Sequence, residues 1–301
     1  MSQCFSIVSF FGRRLHNLFV SHGLEPKAVD IDRETTIHCW VPKAGFTRPV
    51  LVLIHGFGPA SMWQWNGQVP SLSREFDLVV PDLVFFGEST SISRERSEVF
   101  QAVSVIKLLE TLGVERYSVA GTSYGGFVAY QMARMCPEKI LRVVIASSGV
   151  NMKREDNGKL LQKAGVERIW DLMLPEKPSN LRTLVRLAVY RRVHMVPNFF
   201  LQDIIDTLYK ENREEKKELL LGLTIGKEDT GDIEPLPQEV LIVWGEHDQI
   251  FEVEMAFELK NFSGNSPWIG MVTIKRRLLG WAYQFFMVTI LGRISFLLPS
   301  L

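Results

Sequence analysis

The sequence predicts an α/β fold: a mostly parallel central sheet with helices on both faces and one helical insert. Three observations predict it. Between residues 50 and 146, short apolar runs alternate with helical patterns of ten to fifteen residues, the rhythm of strand–helix–strand units. After Asn151, about eighty residues carry helical patterns and no convincing strand. The run Glu239-Val240-Leu241-Ile242-Val243-Trp244 then restores the strand pattern.

Taken in order, the first thirty-odd residues show no strong period. Residues 36–41 read as extended and stop at Pro42. Pro49 precedes Val50-Leu51-Val52-Leu53-Ile54, an unbroken apolar run of the kind a strand buried on both faces shows. A Gly/Pro turn and an amphipathic stretch over 62–74 lead to a second short strand at 77–80, closed by Pro81. Residues 97–112 predict a helix, because Ala102, Ile106 and Leu109 recur at three- and four-residue spacing beside Val99 and Val103, and Gly113 ends it. A strand at 116–120, a helix at 124–135 closed by Pro137 and a strand at 141–146 follow. In the insert, Phe200, Ile204 and Leu208 recur every four residues, as do Leu201, Ile205 and Tyr209. Leu181, Leu184, Val185 and Ala188 form another apolar face, with Arg182, Arg186, Arg191 and Arg192 read as its solvated side.

This pattern divides the chain into a first core segment (1–150), a helical lid (151–232), a second core segment (233–262) and an apolar C-terminal tail (263–301). The lid's pocket face is expected from Met195, Phe199 and Phe200. The 301 residues are 46% hydrophobic and 23% charged, a globular balance. Lys+Arg and Asp+Glu are 34 each, so the excess positive charge of a general nucleic-acid binder is missing. Three separated cysteines, Cys4, Cys39 and Cys136, make a disulfide scaffold a poor reading and point to a reducing, cytoplasmic setting. Residues 1–11 lack the basic start and long apolar run of a signal peptide.

The chemistry concentrates in three places, each at the end of an expected strand. Gly121-Thr122-Ser123-Tyr124-Gly125, followed by Gly126, matches G-x-S-x-G between a strand and a helix. A sharp strand-to-helix turn lifts Ser123 out of the sheet as a nucleophile, and Gly121 and Gly125 leave room for it. The helix N-terminus behind Ser123 supplies N–H groups and partial positive charge to a developing oxyanion. His55-Gly56-Phe57-Gly58 follows the 50–54 strand; this Gly-rich turn aims the Phe57 N–H beside that of Tyr124 as the oxyanion pair. His55 reads as a brace of that turn rather than a base. Trp244-Gly245-Glu246-His247-Asp248 ends the late strand, and there Asp248, ahead of Glu246, is the carboxylate placed to orient an imidazole; the competing reading is a helix-capping aspartate. The pattern asks for no cofactor and no metal.

These stretches, with His38-Cys39-Trp40-Val41-Pro42-Lys43, Met62-Trp63-Gln64-Trp65 and Pro81-Asp82-Leu83-Val84-Phe85-Phe86-Gly87-Glu88-Ser89, resemble the α/β-hydrolase superfamily. Within it they are similar to plant serine hydrolases of the monoacylglycerol-lipase-like kind, in the family's order over residues 30–262. The resemblance implies a lidded hydrolase of apolar or lipid-like esters, with Ser123 as nucleophile, Asp248 as triad acid and Phe57 and Tyr124 as oxyanion donors. Serine at the elbow, where epoxide hydrolases and dehalogenases carry aspartate, implies acyl transfer.

The pattern breaks at its end. The triad order in this fold is serine, acid, histidine, yet the last of the six histidines is His247. The loop after an expected last strand at 268–274 is Lys275-Arg276-Arg277-Leu278-Leu279. Residues 278–298 hold one charge, Arg293, behind that basic cluster. Three readings of this tail are open: a surrogate closing helix, a membrane contact or anchor, and an aberrant exon. Function divides accordingly, between a serine esterase impaired by its missing histidine and a non-catalytic ligand-binding or truncated splice or gene-model variant. His194, in the insert, is the one distant imidazole weighed as a substitute base.

Overall fold

The computed structural model describes residues 6–188, 196–227, 233–262 and 269–274. Among them nine strands make one sheet: β1 (Leu24–Asp30), β2 (Thr35–Pro42), β3 (Val50–Ile54), β4 (Asp77–Pro81), β5 (Thr90–Ser91), β6 (Tyr117–Thr122), β7 (Ile140–Ala146), β8 (Glu239–Gly245) and β9 (Ile269–Ile274). Their order is β1-β2-β4-β3-β6-β7-β8-β9, with β5 beside β2. Pairings of β2 with β1, β4 and β5 are antiparallel. From β4 to β9 every neighbour is parallel. This is the α/β-hydrolase arrangement that the sequence predicts.

The pleat explains the apolar runs. Val52 and Ile54 of β3 pack into one core with α4 (Glu98–Thr111) and α5 (Tyr124–Met135), while Leu51 and Leu53 enter a second core on the other face. That second core takes Phe19 of α1 (Ile7–Ser21), Trp65 of α2 (Ser61–Trp65) and Val69 and Leu72 of α3 (Val69–Leu72). A strand covered on both faces has no polar side to show, so alternation disappears from its sequence. Ser97 caps α4 by accepting from Phe100 N, which sets the predicted start of that helix.

Between β7 and β8 the described residues form α6 (Arg154–Ala164), α7 (Ile169–Met173), α8 (Pro178–Ala188), α9 (Asn198–Leu208) and α10 (Arg213–Leu221). The helix α11 (Val253–Phe262) connects β8 to β9.

Four expectations change. Residues 7–30 are not featureless: they form α1 and the edge strand β1. The helix buries mainly Val8 and Phe19, and β1 mainly Leu24 and Val29, too sparse a pattern for periodicity to reveal. The 62–74 stretch is two short helices, broken at Asn66-Gly67 and restarted with Pro70 in the first turn. The strand expected at 268–274 is present as β9, paired with β8 from Val240↔Ile269 to Gly245↔Ile274, so the core runs past the expected bound at 262. Phe199 is 68% exposed, and α9 packs on α8 and α1; the Val8 N–H donates to Asp203 at 2.9 Å. Met195, His194 and the apolar segment 278–298 lie outside the described residues. Among the described residues no helix is long and apolar enough to cross a membrane.

Candidate active site

In an open parallel sheet, ligands collect beyond the carboxyl ends of the strands where the order reverses. Here β3 lies between β4 and β6, and the loops after β3, β6 and β8 carry the three motifs. Ser123 sits between β6 and α5 with φ 52° and ψ −124°, a conformation an L-residue adopts only under constraint. Its hydroxyl caps nothing in α5.

Two glycines permit that turn. A Cβ on Gly121 would lie 2.0 Å from the Gly125 carbonyl oxygen. One on Gly125 would lie 2.4 Å from the Ile54 oxygen and 2.5 Å from that of His55, so β3 and the elbow touch backbone to backbone. The elbow is also tied to the next strand end: the Ser123 N–H donates to Ala146 O at 3.0 Å, and the Ser123 carbonyl accepts from Gly126 N at 2.8 Å.

The turn after β3 is built around His55, which is fully buried. Its Nε2 accepts from the Leu83 N–H at 2.9 Å, so its Nδ1 carries the proton and donates to Gly56 O at 2.7 Å. Burial holds its pKa below the ordinary imidazole value. Both ring nitrogens are therefore committed to backbone, and the imidazole braces the loop. Gln64 Oε1 accepts from Gly56 N at 2.8 Å, a second brace that the Met62–Trp65 motif contains but that spacing alone does not reveal. Among the described residues, neither the Phe57 nor the Tyr124 N–H has an acceptor in the protein. Both residues line the cavity with Ser123.

Asp248 Oδ1 accepts from Ile250 N at 2.9 Å and Phe251 N at 3.1 Å, the bonds of a side chain closing its own turn. The Ser147 side chain also bonds to this carboxyl. Burial outweighs these donors and lifts its pKa to about 6. The helix-capping role read as the alternative is not the one these bonds make, because Ile250 and Phe251 precede α11, which begins at Val253. Glu246 and His247 are exposed.

Above Ser123 lies a cavity of about 400 Å³. Its walls come from α6 and α7 (Leu160, Ile169, Trp170, Met173), from Leu220 of α10 with Leu223 and Ile225 beyond it, and from Phe251 and Met255. Asp156, Glu167, Arg168 and Lys227 add polar groups to its lining. These residues, rather than Phe199 and Phe200, line the cavity beside Ser123.

No described histidine lines this cavity. His38 Nδ1 donates to Asp82 Oδ2 at 2.8 Å, on the buried strap that also binds Ser61 N; His16 packs on Trp40; His22 lies against Leu18 O. Among the described residues no group of three His, Cys, Asp or Glu side chains is placed to hold a metal ion.

Residues 49–269 match the family model of the α/β hydrolase fold. A Mycobacterium tuberculosis protein, itself uncharacterized, is 36% identical over 101 residues, a match covering 34% of this chain. The chain thus spans 29% of that relative's length. The 2-hydroxy-6-oxo-2,4-heptadienoate hydrolase of Pseudomonas putida is 25% identical over 243 residues, covering 75% of this chain and 80% of that enzyme. Among solved structures, the 2-hydroxy-6-oxo-6-phenylhexa-2,4-dienoate hydrolase of Rhodococcus sp. strain RHA1 superposes with a TM-score of 0.71 at 21% identity, covering 91% of this chain and 99% of that one. That last likeness is one of fold.

Proposed function

The chain belongs to the α/β-hydrolase fold family, and we propose that within it this protein is a serine-type hydrolase of small apolar carboxylic esters, lipid or monoacylglycerol-like, impaired by its missing triad histidine. One observation carries the reading: Ser123 stands on a strained elbow at the floor of a largely apolar cavity, beside two N–H groups with no acceptor among the described residues.

The chemistry assigned to each group follows from its position. Ser123 Oγ attacks the ester carbonyl, and the Phe57 and Tyr124 N–H groups take the negative charge that develops on the carbonyl oxygen. Neither has to break a bond to protein first. The attack also needs a base for the hydroxyl proton, and within the 301 residues no histidine follows Asp248. Asp248 is the carboxylate that would orient one. A second reading, a pocket that holds an apolar ester without turning it over, is favoured by the same absence of a described histidine at the cavity. Contact with a membrane through residues 278–298 remains part of the proposal, and extraction with alkaline carbonate tests it.

Labelling with a fluorophosphonate tests the site, because the probe reports a serine activated by a base. Slow labelling, lost in Ser123→Ala, is the expected result. Labelling as rapid as that of an intact serine hydrolase overturns the impairment. Indifference to Ser123→Ala, with no binding of apolar esters, overturns the assignment as a whole.

A further inference from the structure

The lid is fastened to the core at a buried carboxylate that the hydrolytic scheme does not use. Glu98 opens α4 and is 0% exposed. It accepts from Thr224 N at 3.0 Å, from Ile225 N at 3.2 Å and from the Thr224 hydroxyl. Among the described residues it has no cationic partner. Its charge is held by these donors and by the positive end of a 14-residue helix.

What those donors belong to gives Glu98 its consequence. Thr224 lies between Leu223 and Ile225, both on the cavity wall, and Gly226 and Lys227 continue that wall. The segment lies very close to the core. A Cβ on Gly222 would fall 1.4 Å from the Arg96 carbonyl oxygen, and Gly226, at φ 78°, lies against Met152. Two further ties flank it: Arg96 Nε to Glu218 at 2.9 Å and Arg154 Nη2 to Lys227 O at 2.7 Å. Thr224, Glu218 and Lys227 are all exposed, but of the acceptors only the Glu98 carboxylate is fully buried, so the two flanking ties are the more screened by solvent. Bonds to a buried charge are the strong ones, and stripping their acceptor leaves donors unsatisfied. Glu98 also stands behind the cavity floor: burial first, and then the charge of Glu98, hold the Tyr124 phenol well above its ordinary pKa.

We infer that Glu98 is a positioning residue for specificity: by pinning Thr224 and Ile225 it sets how far the 223–227 wall stands from Ser123, and so which acyl sizes fit. This rests on the reading of the cavity as the ester site. It differs from a purely structural role, because a released wall changes the ranking of substrates as well as overall stability.

The test is the acyl-length profile of kcat/KM over p-nitrophenyl esters from acetyl to decanoyl. Glu98→Ala and Thr224→Val should relax the preference between the best ester and one two carbons longer by about tenfold, the scale of methylene discrimination in an apolar pocket. Thr224→Ser, which keeps the hydroxyl, should retain the native profile. If Glu98→Ala does not fold, Thr224→Val, which removes one hydroxyl, decides. Where the chain turns over too little ester to measure, displacement of a neutral naphthalene fluorophore by straight-chain acids of the same lengths reads the same ranking. Absent turnover with a length-dependent displacement counts against hydrolysis alone. An unchanged profile in Glu98→Ala or Thr224→Val, whatever happens to the melting temperature, overturns the inference.

Discussion

The Ser148 hydroxyl donates to the main-chain carbonyl of Ser123 at 2.6 Å, so the end of β7 grips the elbow that β6 delivers. The contact is tight: a Cβ on Gly126 would lie 2.4 Å from both Cβ and Oγ of Ser148. Removing only the hydrogen bond, in Ser148→Ala, should cost about 1 kcal/mol in urea unfolding. Gly126→Ala should cost about 2–4 kcal/mol, because a new methyl overpacks a closed contact. Ser148→Gly should recover part of that loss, since it removes the atoms the methyl meets. Additive single effects in the double-mutant cycle would show that the two sites are not in contact.

His55 offers a pH-dependent check of how the loop after β3 is braced. Its folded pKa is depressed by burial, whereas in the unfolded chain it titrates near the ordinary value. The unfolded state therefore binds the proton more tightly. The stability His55 contributes is present above the unfolded pKa and is lost as pH falls below it. Between pH about 7 and 5, His55→Gln should flatten the decline in stability relative to the native protein. A folded-state imidazole resonance of His55 that titrates above pH 6.5 would contradict the assigned tautomer.

The elbow was legible in the sequence because its chemistry is local. Gly121, Ser123 and Gly125 are neighbours, and strand, turn and helix can each be read from side chains a few positions apart. Tyr117–Thr122 and Tyr124–Met135 follow the expected strand and helix closely. The edge of the fold was not legible: α1 and β1 each rely on a few buried residues, and contacts such as His16 with Trp40 join distant positions. The helical insert between β7 and β8 shows the same limit. Periodicity identified α9 as amphipathic, but cannot say which neighbour its apolar face meets. Phe199 is therefore exposed, while Ile169, Trp170 and Leu220 line the cavity beside Ser123. Glu98 was invisible as a wall anchor because its donors lie 126 and 127 positions away.

Asp248 carries a testable conflict between stability and chemistry. Its folded pKa is raised to about 6 from 3.8, first by burial. The folded state thus binds a proton more tightly than the unfolded one. Protonation stabilises the fold at pH below 3.8, and this contribution is lost as pH rises through about 6. Asp248→Asn keeps an oxygen for the Ile250 and Phe251 N–H groups and never ionises. It should be more stable than the native protein by about 2–3 kcal/mol at pH 7.5, with the gap closing towards pH 4. A gap independent of pH would place the carboxyl in a solvated setting.

The last prediction concerns turnover and rests on where the proton goes. A serine hydroxyl is a weak nucleophile at neutral pH until an adjacent base takes its proton. His38, His55, His16 and His22 are engaged elsewhere, and none of them lines the cavity. The sheet itself is complete as far as β9, which pairs with β8 to Gly245↔Ile274. A restored triad therefore needs only a replacement after Ile274: a Gly-His loop that returns an imidazole between Asp248 and Ser123, followed by a closing helix. The chain as it stands should hydrolyse short p-nitrophenyl esters at least about a thousandfold more slowly than that restored version. Ser123→Ala in the restored version should abolish the gain, which separates triad chemistry from a general improvement in folding. Equal rates for the two would mean that an imidazole from elsewhere serves Ser123. His194 is then the first to remove, and loss of the native rate in His194→Ala would place the base in the lid.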